Sequence, residues 1–199
     1  MNENEIIIQI LQGNRNLYKI LVEKYQSMIF RTCMGFLHQK DDADDLTQEI
    51  FIQAFQSLGS FKGNSSFSTW IYRIAINASL NKVRQTSRRN LFQRLDGLFN
   101  PEKKNADLLS GIVTDNPENI LINEEHRLWV QNALNDLPEN QRIAIVLSKY
   151  DDLSQKEIAE IINTTEGAVE SLIQRAKSNL REKLSSSSIK NKKNTVGKK

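Results

Sequence analysis

The sequence is poor in residues that cross-link a chain or interrupt its helices. Its 199 residues include one cysteine, Cys33, two histidines, His38 and His126, three prolines and eight glycines. A single cysteine cannot form an internal disulfide, and the distant histidines give no ligand spacing for a zinc site. We therefore expect a reducing environment, no metal and no cofactor. Cys33 lies on an apolar helical pattern, so we expect it to be a small core residue.

Long apolar runs are also missing. The longest apolar stretch near the N-terminus is Ile6 to Ile8, and the residues before it lack the basic start of a signal peptide. A membrane span needs about 18 consecutive apolar residues. We therefore predict a cytoplasmic protein with no direct membrane insertion. A content of 39% hydrophobic and 26% charged residues is typical of a globular protein with a lean core.

The net charge of +3 is small, but the charges are unevenly distributed. Residues 39–57 carry five acids and one base, whereas residues 70–104 carry eight bases and two acids. An acidic helix beside a basic one indicates two different partners, one of which can be nucleic acid. Residues 185–199 contain five lysines and no acid. That composition predicts a disordered basic tail.

Apolar residues follow helical spacing in two clusters, so we predict an all-α protein with two small helical domains. The first spans residues 1–90 and the second residues 118–184. Between them, in residues 91–117, the periodicity fades and glycine and proline recur, which indicates a flexible linker. The inward positions predicted for the first domain are Leu17, Leu21, Tyr25, Met28, Ile29, Thr32 and Phe36 on one helix, Ala43, Leu46, Ile50, Ala54 and Leu58 on the next, and Trp70, Ile71, Ile74, Ala75 and Ala78 on the third.

The second domain has the pattern of a helix-turn-helix. Ser154 and Glu157 form a capping box that opens a short helix, and Thr165 can cap the helix that follows. The second helix of such a pair can enter the major groove, where arginine and glutamine bind base edges. Helical hairpins with capping boxes are common, so a purely structural hairpin remains open. The residues near the start of the second helix that face away from its apolar side are Glu166, Glu170, Ser171, Gln174 and Arg175.

A polar stripe lies behind the apolar face of the helix that contains Trp70. The stripe follows a loop that carries Phe61, Lys62 and Phe67, and its members are Arg73, Asn77, Asn81, Arg84 and Arg88. Guanidinium groups bind phosphates, amides read base edges and aromatic walls hold an unstacked base, so the pattern favours a single-strand reader. The alternatives are an ordinary solvated face and phenylalanines that belong to the core.

The acidic helix Asp44 to Phe51 is unsuited to DNA, because phosphate repels its carboxylates. A paired-carboxylate active site would need a nucleophile, a base or a set of metal ligands nearby in sequence, and none is evident. A protein-docking face is the better interpretation, and we expect no catalytic residues.

These segments, in this order, resemble the extracytoplasmic-function sigma factors of bacterial RNA polymerase, within the sigma-70 family. The similar strings lie at residues 42–55, 61–77, 137–142, 153–159, 167–171 and 174–177. The similarity covers about residues 10–90 and 118–184.

The resemblance implies a first domain, region 2, that binds the polymerase clamp and the minus-ten promoter element, and a second, region 4, that reads the minus-thirty-five element. It also implies an anti-sigma partner. Its implied roles, by position in this chain, are core polymerase binding for Asp45, Gln48 and Glu49; minus-ten DNA binding for Phe61, Lys62, Phe67, Arg73, Asn77, Asn81 and Arg84; and minus-thirty-five DNA binding for Glu170, Ser171, Gln174, Arg175 and Lys177.

The chain departs from many of those relatives at Glu170 and Leu172, where they have arginine. Glu170 either accepts a hydrogen bond from a cytosine amino group or pairs with Gln174 or Lys177 on its own helix, and of the two we favour the local pair. For the whole chain, the alternatives are a DNA-binding regulator that never joins the polymerase and an enzyme acting on nucleic acid. The acidic helix argues against the first, and the missing nucleophile or metal set against the second.

Overall fold

A computed structural model describes residues 2–99 and 128–196, which form helices joined by short turns, with no strand among them. The helices are α1 (Glu3–Leu11), α2 (Tyr18–Leu37), α3 (Lys40–Ser57), α4 (Phe67–Phe99), α5 (described for residues 128–135), α6 (Glu139–Tyr150), α7 (Gln155–Ile162) and α8 (Glu166–Val196). Two short 3-10 turns, Arg15–Leu17 and Leu58–Ser60, precede α2 and follow α3. The all-α prediction is confirmed.

Helices α1 to α4 form the first bundle, and helical spacing predicts most of the core that α2, α3 and α4 contribute. Ile29, Ile50 and Ile71 are fully buried and come from α2, α3 and α4. Cys33 is also fully buried, as expected for a small core residue. Of the predicted inward positions on these three helices, Leu17, Met28, Trp70, Ile74 and Ala78 are half-buried and the others are buried.

Helix α1 was not predicted from the sequence. Asn2 caps it and forms a capping box with Glu5, and Ile6, Ile7 and Ile10 bury its inner face. Glu3 accepts hydrogen bonds from side chains of α2 and so fixes α1 against the bundle. The sequence did contain a signal for this helix start. Asn2 is followed three residues later by Glu5, and isoleucines at helical spacing come next.

The second bundle contains the predicted helix-turn-helix. The Ser154–Glu157 capping box forms at the start of α7, and Asn163 ends that helix in a left-handed conformation. The Thr165 hydroxyl accepts a hydrogen bond from the amide of Ala168 at 3.2 Å, which caps α8 as predicted. Ile158, Val169 and Ala176 pack between α7 and α8.

Two predicted boundaries differ from the structure. Helix α4 continues to Phe99, nine residues beyond the predicted end of the first domain at residue 90, because no glycine or proline interrupts residues 68–96. Helix α8 continues to Val196, whereas we expected a disordered tail from residue 185. Serine and lysine do not terminate a helix that has already formed. Gly197 is the first glycine or proline after the first turn of α8, and the described helix ends just before it. The rest of the predicted linker, residues 100–117, and the first ten residues of the predicted second domain, residues 118–127, lie outside the described residues.

The two bundles pack directly against each other. Phe36, Tyr72, Ile76 and Leu80 of the first bundle belong to the same buried cluster as the core of the second. Gly35 lies where α2 crosses α6, and a Cβ atom at this position would be 2.6 Å from the Val146 Cγ1 atom. Each large apolar side chain that is fully buried contributes about 1.5–3 kcal/mol, so this contact is a substantial one.

A carboxylate is buried in the same contact. The Asp151 side chain is 0% exposed, accepts a hydrogen bond from the Thr32 hydroxyl at 2.8 Å and lies 3.6 Å from the Arg31 Nε atom. Burial raises the pKa of Asp151 to about 6 because the charged form loses its hydration, although Thr32 and Arg31 oppose that shift. Tyr72 of α4, Cys33 of α2 and Asp152 are other titratable groups that interact with it.

We expect Asp151 to make the stability of the folded chain depend on pH. Because its pKa is raised on folding, its stabilising contribution is complete below the ordinary aspartate pKa and is lost as pH rises through about 6. The free energy of unfolding of Asp151→Asn, relative to that of wild type, should therefore rise by about 2 kcal/mol when the pH is raised from 4.5 to 7.5. Urea unfolding at both pH values measures this, with the exposed neighbour substitution Asp152→Asn as control. An equal pH dependence for wild type and Asp151→Asn would contradict the assignment.

Candidate functional site

The acidic face of α3 consists of Asp45, Gln48 and Glu49, all exposed. Leu46 and Ile50 alternate with them and anchor the helix in the bundle, so these three polar side chains are directed outward. Positions three and four residues apart share a helix face, which brings the three predicted docking residues together. No hydrogen bond or ion pair is recorded for Asp45 or Glu49 within the described chain, which leaves both carboxylates available to a partner.

An apolar groove adjoins the acidic face. It has a volume of about 830 Å³ and includes Gln48 at its edge. Ile52, one turn beyond Gln48 and Glu49, is 59% exposed and lines the groove. Ile52 was missed in the sequence because it sits within an unbroken Ile-Phe-Ile run, yet a third consecutive apolar residue on a helix must turn away from the core. The other apolar lining residues are Tyr18, Val22, Phe51 and Phe55.

The loop before α4 rests on an aromatic cluster. Phe67 is 2% exposed and packs in the core, with ring centroids 5.9 Å from Phe61 and 5.5 Å from Trp70. Phe61 is half-buried and Lys62 is exposed. The prediction that Phe67 itself lines a base pocket is therefore wrong for this conformation, because its ring is buried beneath the loop and packs against Phe61 and Trp70. Phe61 and Lys62 remain accessible.

The polar stripe of α4 is present as predicted, with Arg73, Asn77, Asn81 and Arg84 all exposed. Two of its members already have partners in the second bundle. Arg73 donates from Nε to the Ile161 carbonyl at 2.8 Å and from Nη2 to the Glu160 carbonyl at 2.7 Å. These contacts join residues far apart in sequence, and no sequence pattern indicated them.

Arg84 makes the second set of contacts. Its Nε and Nη2 atoms donate to the two carboxylate oxygens of Glu139 at 2.9 and 2.7 Å, and its Nη1 donates to the Asn81 side chain at 3.1 Å. Asn77 lies between the two arginines on the helix and stays exposed. No partner is recorded for its amide among the described residues, so it retains its full capacity to read a base edge.

The outer face of α8 carries Glu170, Ser171, Gln174, Arg175 and Lys177, all exposed. Val169, Ile173 and Ala176 bury the opposite face against α6 and α7, which directs the polar residues away from the bundle. The Ser171 hydroxyl donates to the Gly167 carbonyl at 2.9 Å and keeps its acceptor capacity. The five residues form a continuous surface near the start of the second helix of the helix-turn-helix, where major-groove contacts are made.

A buried arginine of α6 was also missed. Arg142 is 4% exposed and its Nη1 atom lies 3.4 Å from the Asn135 carbonyl and 3.3 Å from the Asn135 side-chain oxygen. Burial lowers the pKa of Arg142. The contact joins α6 to the last residue of α5, so Arg142 positions the helices rather than a partner.

Two family models match the chain. "Sigma-70 region 2" matches residues 21–89 and "Sigma-70, region 4" matches residues 127–180. The chain is 33% identical over 177 residues to the ECF RNA polymerase sigma-E factor of Escherichia coli, covering 89% of this chain and 91% of that protein. The chain belongs to the sigma-70 family. It is an ECF sigma factor, the group that the sequence motifs resemble.

Two further proteins are similar to this sigma factor. The RNA polymerase sigma-H factor of Pseudomonas aeruginosa is 31% identical over 179 residues, which cover 88% of this chain and 90% of that protein. The solved structure of CnrH in complex with the cytosolic domain of CnrY has a TM-score of 0.59 and 22% identity, and it covers 91% of this chain and 96% of CnrH. That structure supports the fold. No helix in the described parts of the chain combines the length and apolarity of a membrane span.

Glu170 of this sigma factor is exposed on α8, as are Gln174 and Lys177. The local pair that we favoured and the cytosine contact therefore both stay predictions.

Glu170→Gln separates the two hypotheses. If Glu170 contacts cytosine, the base preference at one position of the minus-thirty-five element should change by ~1–3 kcal/mol. Holoenzyme carrying either version, transcribing a library randomised across that element, would reveal the position. Arg181→Gln serves as a control for charge on the exposed surface of α8. A small, uniform gain for every library member would instead show that Glu170 only repels phosphate.

Proposed function

We propose that this sigma factor binds core RNA polymerase through the acidic face of α3, reads the minus-ten element with α4 and its loop, and reads the minus-thirty-five element with α8. The acidic face carries this proposal. Asp45 and Glu49 are exposed beside an apolar groove and have no partner among residues 2–99 and 128–196, and DNA cannot be their target. A regulator that acts only by binding DNA has no use for such a face, whereas a protein-docking surface combines charge with apolar area.

The remaining parts of the proposal follow from the charge of each surface. The stripe of α4 offers arginines for phosphates and Asn77 for a base edge, as single-strand recognition requires. The face of α8 offers Gln174 and Arg175, which suit adenine and guanine edges in the major groove. Phe61 and Lys62 stand at the loop, where an extruded base would lie.

We expect the free chain to bind promoter DNA weakly and the holoenzyme to bind it tightly. Residues 153–184 contain five bases and five acids, so the helix-turn-helix has no net charge to attract phosphate. Fluorescence anisotropy of labelled promoter DNA, with and without core polymerase, measures both affinities. The expected gain with core is ~100-fold or more at physiological salt. Tight, salt-resistant and sequence-specific binding by the chain alone would refute this arrangement.

We also propose an anti-sigma factor as a partner. The structure of CnrH holds the cytosolic domain of CnrY, and that observation belongs to CnrH. It supports the expectation that this chain too is held inactive by a protein inhibitor. Purification of the tagged chain from its native cells should recover such an inhibitor, and a neighbouring gene should encode it. If no inhibitor co-purifies and no neighbouring gene encodes one, the proposal of an anti-sigma partner is wrong.

A further inference from the structure

Helix α4 continues beyond Arg84 without a buried side. Residues 85–89 are all exposed, although the helix runs on to Phe99. Five consecutive residues cover the whole circumference of an α-helix, because one turn takes 3.6 residues. No side of α4 is therefore buried at this turn. The polar stripe that the proposed function assigns to DNA thus has room to continue beyond Arg84.

The charge of this part of the chain suits DNA. Residues 50–95 contain seven bases and no aspartate or glutamate, and three of the bases lie beyond Arg84. Two of these, Arg88 and Arg89, are exposed, and neither has a hydrogen-bond or ion-pair partner within residues 2–99 and 128–196. No acid lies within six residues of either arginine in the sequence. Both guanidinium groups are therefore available to a phosphate backbone, and no neighbouring carboxylate in the sequence repels it.

Arg88 and Phe92 continue the face of α4 on which Asn77 and Arg84 lie. Successive residues of an α-helix are rotated by about 100°, so all four positions fall within about 80° around the axis. Phe92 is 69% exposed. A single exposed apolar side chain is common on protein surfaces, but this one stands one turn beyond an unpaired arginine and on the face that would meet DNA. A cation that binds phosphate beside an apolar ring that contacts bases is a combination that nucleic-acid sites use.

The direction of α4 indicates which part of the promoter its end would meet. Asn77 and Phe92 are 15 residues apart in the sequence, so they lie about 22 Å apart along the helix. That distance equals about six base pairs at 3.4 Å per pair. Beyond Phe92 the chain leads to region 4, which would read the minus-thirty-five element, upstream of the minus-ten element. The end of α4 would therefore lie over the duplex on the upstream side of the minus-ten element.

We propose that Arg88 and Phe92 form a second DNA site of α4, which binds the duplex immediately upstream of the minus-ten element. Arg88 binds a backbone phosphate, and Phe92 packs against the edges of the base pairs and withdraws its ring from water. The site rests on the proposed role of α4 at the minus-ten element and extends that role upstream. It holds the duplex in place next to the base that Asn77 would read.

Arg88→Gln and Phe92→Ala test this site in holoenzyme. Glutamine and alanine are good helix formers, so neither change should shorten α4, and circular dichroism checks this. Arg89→Gln is the matched control, because it removes the same charge at a position rotated by about 100° from Arg88. Anisotropy is measured with two labelled fragments of a promoter that this sigma factor uses. Both contain the minus-ten element and lack the minus-thirty-five element, and only the longer one carries about ten further base pairs of upstream duplex, one helical turn.

Wild-type and Arg89→Gln holoenzymes should bind the longer fragment ~10-fold more tightly than the shorter one, whereas Arg88→Gln and Phe92→Ala should each lose most of that gain. On the shorter fragment all four proteins should bind equally. A salt titration on the longer fragment separates the two roles. Arg88→Gln should lower the slope of log affinity against log salt concentration by about 0.9, and Phe92→Ala should leave the slope unchanged.

Three results would overturn the upstream site. The first is wild-type affinity of both variants for the longer fragment. The second is an equal loss on both fragments, since Arg88 and Phe92 would then contact the polymerase or another part of the DNA. The third is an equal loss from Arg88→Gln and Arg89→Gln, which would mean that total charge and not this face controls binding. Failure of wild-type holoenzyme to bind the shorter fragment would instead refute the proposed function, because that fragment lacks the upstream duplex.

Discussion

Reversing two charges on α3 should separate this sigma factor from its polymerase. We expect Asp45→Lys/Glu49→Lys to lower the affinity for core polymerase ~10-fold or more, because the change converts an attractive charge pattern into a repulsive one at the docking face. Both side chains are exposed and lack recorded partners in the described chain, so their replacement costs the fold little. Titration of labelled chain with purified core enzyme measures the loss, and circular dichroism checks the helix content.

Asp44→Lys is the matched control for this experiment. Asp44 is exposed on the same helix, at a position rotated by about 100° around the helix axis from Asp45. Asp44→Lys therefore makes the same charge change as Asp45→Lys on a different side of the helix. If docking depends on the face that includes Gln48 and the groove, Asp45→Lys should weaken core binding much more than Asp44→Lys. Equal effects would mean that overall charge, not this face, controls the association. Unchanged core binding by the double variant would disprove the assignment.

The second large effect is expected from Asn77. Its amide is exposed between Arg73 and Arg84 and has no recorded partner among the described residues, so it can hydrogen-bond the edge of an extruded base. Asn77→Ala should reduce open-complex formation by ~1–3 kcal/mol and relax the preference at one minus-ten position. Permanganate footprinting gives open-complex yield, and a minus-ten library gives the base preference.

Gln85→Ala is a suitable comparison for Asn77→Ala. Gln85 is another exposed amide of α4, and nothing assigns it to DNA. Its loss should leave both the open-complex yield and the base preference unchanged. If Asn77→Ala behaves like Gln85→Ala, Asn77 is an ordinary solvated residue and the base that α4 reads must be held elsewhere, with Phe61 and Lys62 as the next residues to examine.

The core of each bundle could be predicted because it depends on local spacing. Ile29, Ile50 and Ile71 recur on helical faces, and the Ser154–Glu157 capping box marks a helix start within four residues. Such signals lie within a single helix and need no knowledge of its neighbours. The outward direction of the acidic face of α3 follows from the same spacing, because Leu46 and Ile50 must be buried.

The contact between the bundles could not be predicted, because it joins residues that are far apart in sequence. Arg73 gains two main-chain acceptors that no side-chain pattern can reveal, and Gly35 acquires its importance from a crossing helix. Phe67 illustrates the same limit within one bundle. Its position in a polar loop suggested exposure, but the first turn of α4 places its ring in the core.

Transcription by purified core polymerase tests the central claim most directly. Core enzyme would be supplied with fragments of the genome that encodes this chain, with and without the protein, and the transcripts would be sequenced from their 5′ ends. We predict start sites that appear only when the chain is added, and these sites should share minus-ten and minus-thirty-five elements. Transcripts that are the same with and without the chain would contradict the claim that it is the initiating sigma factor.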